Sequence, residues 1–390
     1  MWSKSRDDMP PIICVVGASG SGKTTLIEGL IEREIPVMRK SKVSPAFIVG
    51  ITGFSGSGKT TLIEKILPIL KKQGLSVGVL KHIHHKINLD IKGKDTDRFY
   101  RAGADFVVAH DALQGLARYR NHDKDLLNMI GRFPSDLDLI IIEGHKDFDI
   151  SGIWLTDKSK EEKIRKNDYG RKRVIFRDDP GYCDKVLSYI DEEIKYFHQH
   201  RTVMAGLLME GMSTVKDESK ALIKTRRETL IEQSFAVLSE VSERIVLLGS
   251  GRLPKSLNSV DRLPDIHGMK GPLAGMISAF RWAPESAWII SSVDTPLVHR
   301  EAWDWLLSQR KPGTWAVLPK MPGSKVAETT ASVYEPMFFK YMETLARKGT
   351  VKLHELAAHQ KAATPLMPES IENAGINADA RIARSAITGG

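Results

Sequence analysis

Two kinds of apolar pattern alternate along the first half of the chain. Short, β-branched, nearly unbroken apolar runs stand at PIICVV (11–16), AFIVGIT (46–52), SVGVLK (76–81), ADFVVAH (104–110) and LDLIIIEG (137–144). Helical patterns lie between them. A strand that is apolar at almost every position has no solvent face, so these runs predict a parallel sheet covered on both sides. Strands alternating with helices predict an α/β fold. Near residue 200 the pattern restarts. DEEIKYFHQHR (191–201) reads as a helix end and linker, and TVMAGLLM (202–209) as a new strand. RETLIEQSFAVLSEVS (227–242) reads as an amphipathic helix, and RIVLLGS (244–250) and AWIISSVD (287–294) as further buried strands. The expectation is two α/β domains of three layers each, at 47–195 and 202–390, behind a shorter piece at 1–46.

Composition narrows this picture without redirecting it. A chain of 390 residues has room for two or three cores. The net charge of +9 is spread over both halves, which favours small anionic ligands over nucleic acid, where a clustered basic footprint is expected. The densest basic run, RKNDYGRKR (165–173), reads as a solvated loop. Two cysteines, Cys14 and Cys183, exclude a disulfide framework and fit a reducing compartment. The first residues are charged and proline-containing, unlike a signal peptide. No apolar run approaches 18 residues, so no membrane span and a cytoplasmic location are expected.

The chemistry begins with a repeat. GASGSGKTTLIEGLI (17–31) returns as GFSGSGKTTLIEKIL (53–67). Both satisfy G-x-x-x-x-G-K-[ST]. Such a loop, placed after a strand and opening a helix, turns successive backbone N–H groups around a phosphate. Its lysine reaches the β- and γ-phosphates, and its hydroxyl can hold Mg²⁺. The candidate nucleotide residues of the second copy are Gly53, Ser55, Gly56, Ser57, Gly58, Lys59, Thr60 and Thr61, with Thr60 as a metal ligand. In the first copy they are Gly17, Gly20, Gly22, Lys23 and Thr24. The first copy, however, runs through PVMRKSKVSPA (36–46) straight into the second, and nothing after it supplies an acid for the metal. It reads as a partial duplication, either a second binding loop or a spare strand–loop–helix unit that extends the sheet.

The second loop has a longer sequel. LKHIHHKINLDIKGKDTDRFYRAGADFVVAH (80–110) holds K-H-x-H-H, then G-K-D, then R-A-G-A, and LDLIIIEGHK follows with Glu143 at the end of an apolar strand, placed to coordinate Mg²⁺ through water. Over residues 47–150 these motifs resemble the MobB family. That resemblance implies a P-loop NTPase fold, GTP binding with slow hydrolysis, and support of the enzyme that attaches GMP to molybdopterin. It leaves open a homodimer through this domain and contacts with molybdenum cofactor insertion or acceptor proteins. His82, His84 and His85 lack a fourth zinc ligand at suitable spacing. They line an anion site or are surface histidines.

In the second half, GPLAG (271–275) reads as a tight loop opening the helix MISAF. VDTP (293–296) puts Asp294 at the end of a buried strand, where ligands sit in open α/β sheets. An acid there suits Mg²⁺, or else caps a helix before Pro296. GINADARIA (375–383) is a polar turn carrying Ile376, Asn377 and Asp379. In this order, over residues 203–385, the motifs resemble the MobA family. The resemblance implies a Rossmann-like nucleotidyltransferase fold that joins GMP from GTP to molybdopterin and releases pyrophosphate. Its GTP site would comprise Leu208, Gly211, Ser213, Lys220, Asp265, Gly271 and Asp294. Lys220 and Asp294 would be catalytic, Asp294 would be the metal ligand, and Asp265 would accept from guanine N1–H and N2–H₂.

One loop departs from the family. Where the family has L-A-G-G-x-S-x-R-M-G-x-D-K, this chain has LMEGMSTVKDESK (208–220), with Glu210 for a glycine, Val215 for the arginine and Asp217 for another glycine. Lys216 offers a point charge but not a bidentate clamp. Two readings therefore stand. The chain is a bifunctional GTP-binding protein and guanylyltransferase, or it is a GTP-binding adaptor whose transferase-like half binds cofactor without catalysis.

Overall fold

The computed structural model describes residues 13–14, 37–38 and 45–374, except 82, 84–91, 93, 105, 120–125, 146–149, 163–169, 210–221, 223–227, 270, 294–298 and 349–351. Its two main sheets draw their strands from residues 47–176 and 203–363. The first holds five parallel strands in the order Val77–Lys81, Leu139–Glu143, Phe47–Gly53, Gly152–Thr156, Lys172–Phe176. Leu139–Glu143 is buried throughout because alternate residues feed opposite cores. Ile141 packs with Val49, Ile51 and the inner faces of helices Lys59–Lys72 and Tyr182–Gln199. Ile140 and Ile142 pack on the other side with Leu126 and Ile130 of helix Leu126–Ile130.

Three expectations change here. ADFVVAH forms a strand, but not one of the parallel sheet. Phe106–His110 pairs antiparallel with Gly115–Tyr119 as a separate hairpin. Val107 is buried and its neighbour Val108 is 56% exposed, so this run is two-faced despite its apolar composition. Lys172 and Arg173, read as part of a solvated loop, open the edge strand of the first sheet. Ile13–Cys14 and Val37–Met38 pair in parallel as a two-stranded sheet of their own and extend neither large sheet.

The second sheet is mixed. Its order is Arg262–Leu263, Arg244–Leu248, Val203–Leu208, Ala287–Ser292, Ala331–Tyr334, Ala316–Val317, Ala362–Ala363. The first four strands are parallel, and Ala331–Tyr334 runs against both of its neighbours. One face packs on helices Pro272–Trp282 and Phe339–Arg347. The other packs on helices Leu230–Ser239 and Arg300–Ser308. A capping box between Thr229 and Glu232 starts helix Leu230–Ser239. No helix among the described residues is long and apolar enough to cross a membrane.

The two sheets meet through the N-terminal ends of their strands. Residues 200–202 join helix Tyr182–Gln199 to strand Val203–Leu208, and Arg201 donates to the carbonyl of Pro45, just ahead of Phe47–Gly53 (2.6 Å). Asp138, just ahead of Leu139–Glu143, accepts from Ser76 N (2.7 Å), Trp315 Nε1 (2.7 Å) and Lys361 Nζ (2.8 Å). Beside it, Glu335 pairs with Arg310 (2.7 Å) and lies 3.4 Å from both His198 and Arg201. Burial pushes the Glu335 carboxyl up, but Arg310, His198 and Arg201 outweigh it and hold the group below its usual range. The C-terminal strand ends of the two sheets therefore face away from each other.

This seam yields a stability prediction. The Asp138–Lys361 pair is almost fully buried, whereas Asp136–Lys340 alongside it is open to water. Asp138→Asn should lower unfolding free energy by about 1–3 kcal/mol, because it leaves a buried ammonium without its counter-charge. Lys340→Ala should cost under about 1 kcal/mol. Denaturant unfolding of the two variants checks the order, and equal effects would contradict it.

Candidate nucleotide site

The phosphate loop begins where strand Phe47–Gly53 runs out. A side chain at Gly53 would put its Cβ 2.2 Å from the Leu155 carbonyl oxygen, and φ is +144°. Only glycine allows the chain to turn this close to the neighbouring strand. Ser57 N closes the turn onto Phe54 O (3.2 Å). Gly58, with φ of 90°, is the N-cap of helix Lys59–Lys72 and supplies no side-chain cap. The first N–H groups of that helix are thus left to a ligand, with the positive end of the helix dipole behind them.

Three side chains converge at the mouth of the loop. Thr60 Oγ1 donates to Glu143 Oε1 (2.9 Å), Lys81 Nζ donates to Thr60 Oγ1 (3.1 Å), and Lys81 Nζ lies 3.2 Å from Glu143 Oε2. Strand pairing brings the latter two together, since Lys81 stands directly opposite Glu143. Lys59 folds back over the loop and donates to the carbonyls of Phe54 (2.7 Å) and Gly53 (3.3 Å). Ser57 is fully buried beneath it, while Ser55, Gly56, Thr60 and Thr61 are exposed.

The sequence reading missed two residues here. Arg177, one residue past strand Lys172–Phe176, donates to the carbonyl of Gly56 (3.2 Å) and lies 3.8 Å from Asp157. Asp157, at the end of strand Gly152–Thr156, is held below the usual carboxylate range by the Ser159 hydroxyl and by Lys160. Both follow strands whose short or charged sequences gave little apolar signal. A hydroxyl beside one carboxylate is a hard oxygen donor set, and Mg²⁺ characteristically binds through one or two carboxylates plus substrate phosphates. Thr60 and Glu143 fit that ion. No group of three or more metal-ligating side chains occurs among the described residues.

In the second sheet, Leu208 ends strand Val203–Leu208, and Gly271 (φ 85°) caps helix Pro272–Trp282, so GPLAG is the first turn of the helix rather than a loop before it. The Asp265 carboxyl lies between Gly249 and Gly275: Cβ atoms there would come within 3.4 and 3.6 Å of its Oδ1. Arg262 donates to Gly249 O (2.8 Å) behind it. Asp265 is open to solvent and has no hydrogen-bond partner among the described residues. Desolvation by the surrounding chain still raises its pKa, against the pull of Arg262. Leu208, Asp265 and Gly271 thus gather at the C-terminal strand ends, and Gly249 and Gly275 join them. Gly249, in the run GSG after strand Arg244–Leu248, was not singled out from sequence.

Several expected site residues lie outside the described residues. These are Gly17, Gly20, Gly22, Lys23 and Thr24 of the first loop, His82, His84 and His85, and Gly211, Ser213, Lys220 and Asp294 of the transferase half. Glu210, Val215, Lys216, Asp217, Ile376, Asn377 and Asp379 also lie outside them.

Two family models match. Residues 48–175 match molybdopterin guanine dinucleotide synthesis protein B, and residues 206–365 match a MobA-like NTP transferase domain. The chain is 36% identical over 202 residues to a probable molybdopterin-guanine dinucleotide biosynthesis adapter protein of Bacillus subtilis strain 168, covering 47% of this chain and 95% of that protein. It is 30% identical over 127 residues to a probable molybdenum cofactor guanylyltransferase of Bacillus mycoides strain KBAB4, covering 31% of this chain and 64% of that protein. The chain thus spans a little under two thirds of that relative's length. Among solved structures it is similar to Bacillus subtilis MobB, with 30% identity, 36% of this chain and 96% of that chain covered, and a TM-score of 0.29.

Proposed function

We propose that this chain, which belongs to the molybdopterin guanine dinucleotide synthesis protein B family and carries a MobA-like NTP transferase domain behind it, joins GMP to molybdopterin at one end and binds a regulatory GTP at the other. The first domain, over 47–195, binds GTP at Gly53–Thr61 and hydrolyses it slowly. The second, over 202–390, uses GTP as substrate. An oxygen of the molybdopterin phosphate attacks the α-phosphorus, the bond to the α–β bridging oxygen breaks, and pyrophosphate leaves. Lys220 neutralises the leaving group, and Asp294 would hold Mg²⁺, which when bound neutralises charge on the phosphates. In the first domain Thr60 and Glu143 would hold Mg²⁺, which when bound neutralises charge on the phosphates.

The observation that carries the reading is the mouth of the phosphate loop, where Thr60, Glu143 and Lys81 meet beside the uncapped N-terminus of helix Lys59–Lys72. The seam supports two separate nucleotides. Both candidate sites lie at C-terminal strand ends, and the strand lengths alone set them on the order of 35–40 Å apart, facing away from each other. One nucleotide cannot serve both. Purified chain incubated with labelled GTP, Mg²⁺ and molybdopterin should yield the dinucleotide and pyrophosphate. Absence of both products while molybdopterin still binds would leave the adaptor reading, which the altered loop LMEGMSTVKDESK favours.

Base choice gives a second test. If Asp265 accepts from the guanine edge, Asp265→Asn presents a donor to a donor. The preference for GTP over ATP in dinucleotide synthesis should fall about ten- to a hundredfold, from a mismatch of about 1–3 kcal/mol. Competition between the two nucleotides measures it, and an unchanged preference removes Asp265 from the site.

A further inference from the structure

The phosphate-loop motif accounts for Thr60 and Lys59, and the strand-end acid accounts for Glu143. It does not account for Lys81. This lysine ends strand Val77–Lys81, and its Nζ closes a ring with the Thr60 hydroxyl and both oxygens of the Glu143 carboxylate. Glu143 is buried to 9% exposure, so its charge needs a cation nearby. Lys59 does not supply it, because its ammonium is turned toward the Phe54 and Gly53 carbonyls. Lys81 approaches from the open side, with its side chain 46% exposed. A flexible, half-exposed ammonium is a counter-ion that can leave at little cost.

We propose that Lys81 is a positioning residue: it holds the Thr60–Glu143 pair in register while the loop is empty, and gives that pair up to the divalent cation that arrives with nucleotide. Metal entry is then an exchange of one cation for another. The inference rests on the reading of Gly53–Thr61 as a nucleotide site. It has two consequences. Without the ammonium, a divalent cation meets an uncompensated carboxylate and binds more tightly. Without both ammonium and metal, the same carboxylate repels the nucleotide phosphates.

The test uses the full chain and its Lys81→Met and Lys81→Arg variants. Mn²⁺ alone is titrated into nucleotide-free protein, with binding read by electron paramagnetic resonance. Lys81→Met should raise Mn²⁺ affinity about tenfold, the order of a charge-assisted hydrogen bond, and a second substitution, Glu143→Gln, should remove the gain. Lys81→Arg should behave as the parent. In parallel, GTP affinity is measured with Mg²⁺ and with chelator, counting only the binding lost in Lys59→Ala. The ratio of the two affinities should rise about tenfold in Lys81→Met. Unchanged Mn²⁺ affinity together with an unchanged ratio overturns the proposal. Absence of any Lys59-dependent GTP binding in the parent overturns the nucleotide-site reading instead, and the Mn²⁺ titration still decides whether Lys81 occupies a cation position.

Discussion

Lys59→Ala abolishes one of two GTP-binding events in the full chain, and Lys23→Ala leaves both nearly intact: this is the expected result of equilibrium binding with labelled GTP. Lys59 stands at the start of a helix whose N-cap offers no side-chain partner, one residue before the hydroxyl that reaches Glu143. Removing its ammonium deprives two phosphates of a charge-assisted donor. A loss of about a hundredfold or more is expected, since each such bond is worth about 1.5–3 kcal/mol. Lys23 has a matching loop sequence but no strand-end acid behind it before the second loop begins. Equal losses from the two substitutions would sink the distinction between the loops. The same experiment tests the seam. Because the two sheets meet through their N-terminal strand ends, Lys59→Ala should leave the KM for GTP in dinucleotide synthesis within about twofold. A large shift there would mean that the two ends share one nucleotide.

The sequence told most where a residue's neighbours along the chain are also its neighbours in space. The second phosphate loop is local, so its glycines, Lys59 and Thr60 were legible from spacing. Glu143 was legible because an acid at the end of LIII has few structural reasons to be there. Arg177 and Asp157 were not, because they reach the loop from strands that gave no clear apolar run. Gly152–Thr156 carries only Ile153, Trp154 and Leu155 as an apolar run, and Lys172–Phe176 opens on two basic residues. The hairpin at 106–119 was misread for the converse reason. ADFVVAH is apolar enough for a buried strand, and only tertiary context decides that Val108 faces water. The antiparallel strand Ala331–Tyr334 likewise left no mark that sets it apart from a parallel one.

The seam was invisible to any reading of motifs. Asp138, Trp315 and Lys361 lie far apart in sequence and belong to no pattern, yet together they decide which way the two sites face. That orientation bears on the adaptor role. Under the proposed function, a GTP at the first site would reach the transferase, among the described residues, through the packed strand ends and the Glu335 cluster rather than by sharing one bound nucleotide.

Whether the second half is an enzyme turns on the loop at 208–220. Its departures from the family pattern have definable costs. Glu210 brings a carboxylate where a glycine lets the backbone approach a triphosphate, and Val215 removes the cation that meets the departing pyrophosphate. If the half is catalytic, Lys216 supplies the missing charge. Restoring the family residues should then improve it. Glu210→Gly together with Val215→Arg is expected to raise dinucleotide formation roughly ten- to a hundredfold, the yield of one recovered charged hydrogen bond of about 1.5–3 kcal/mol in the transition state. The change should appear in kcat more than in KM, because the arginine acts on charge that develops as pyrophosphate leaves. Asp294→Ala in the restored background should return the activity to background, since the metal then lacks its anchoring carboxylate. Product quantified by chromatography, beside a separate measurement of molybdopterin binding, distinguishes the outcomes. If parent and restored chains are both silent while molybdopterin binds to each, the half is a binding module, and the erosion of the loop then marks a change of role.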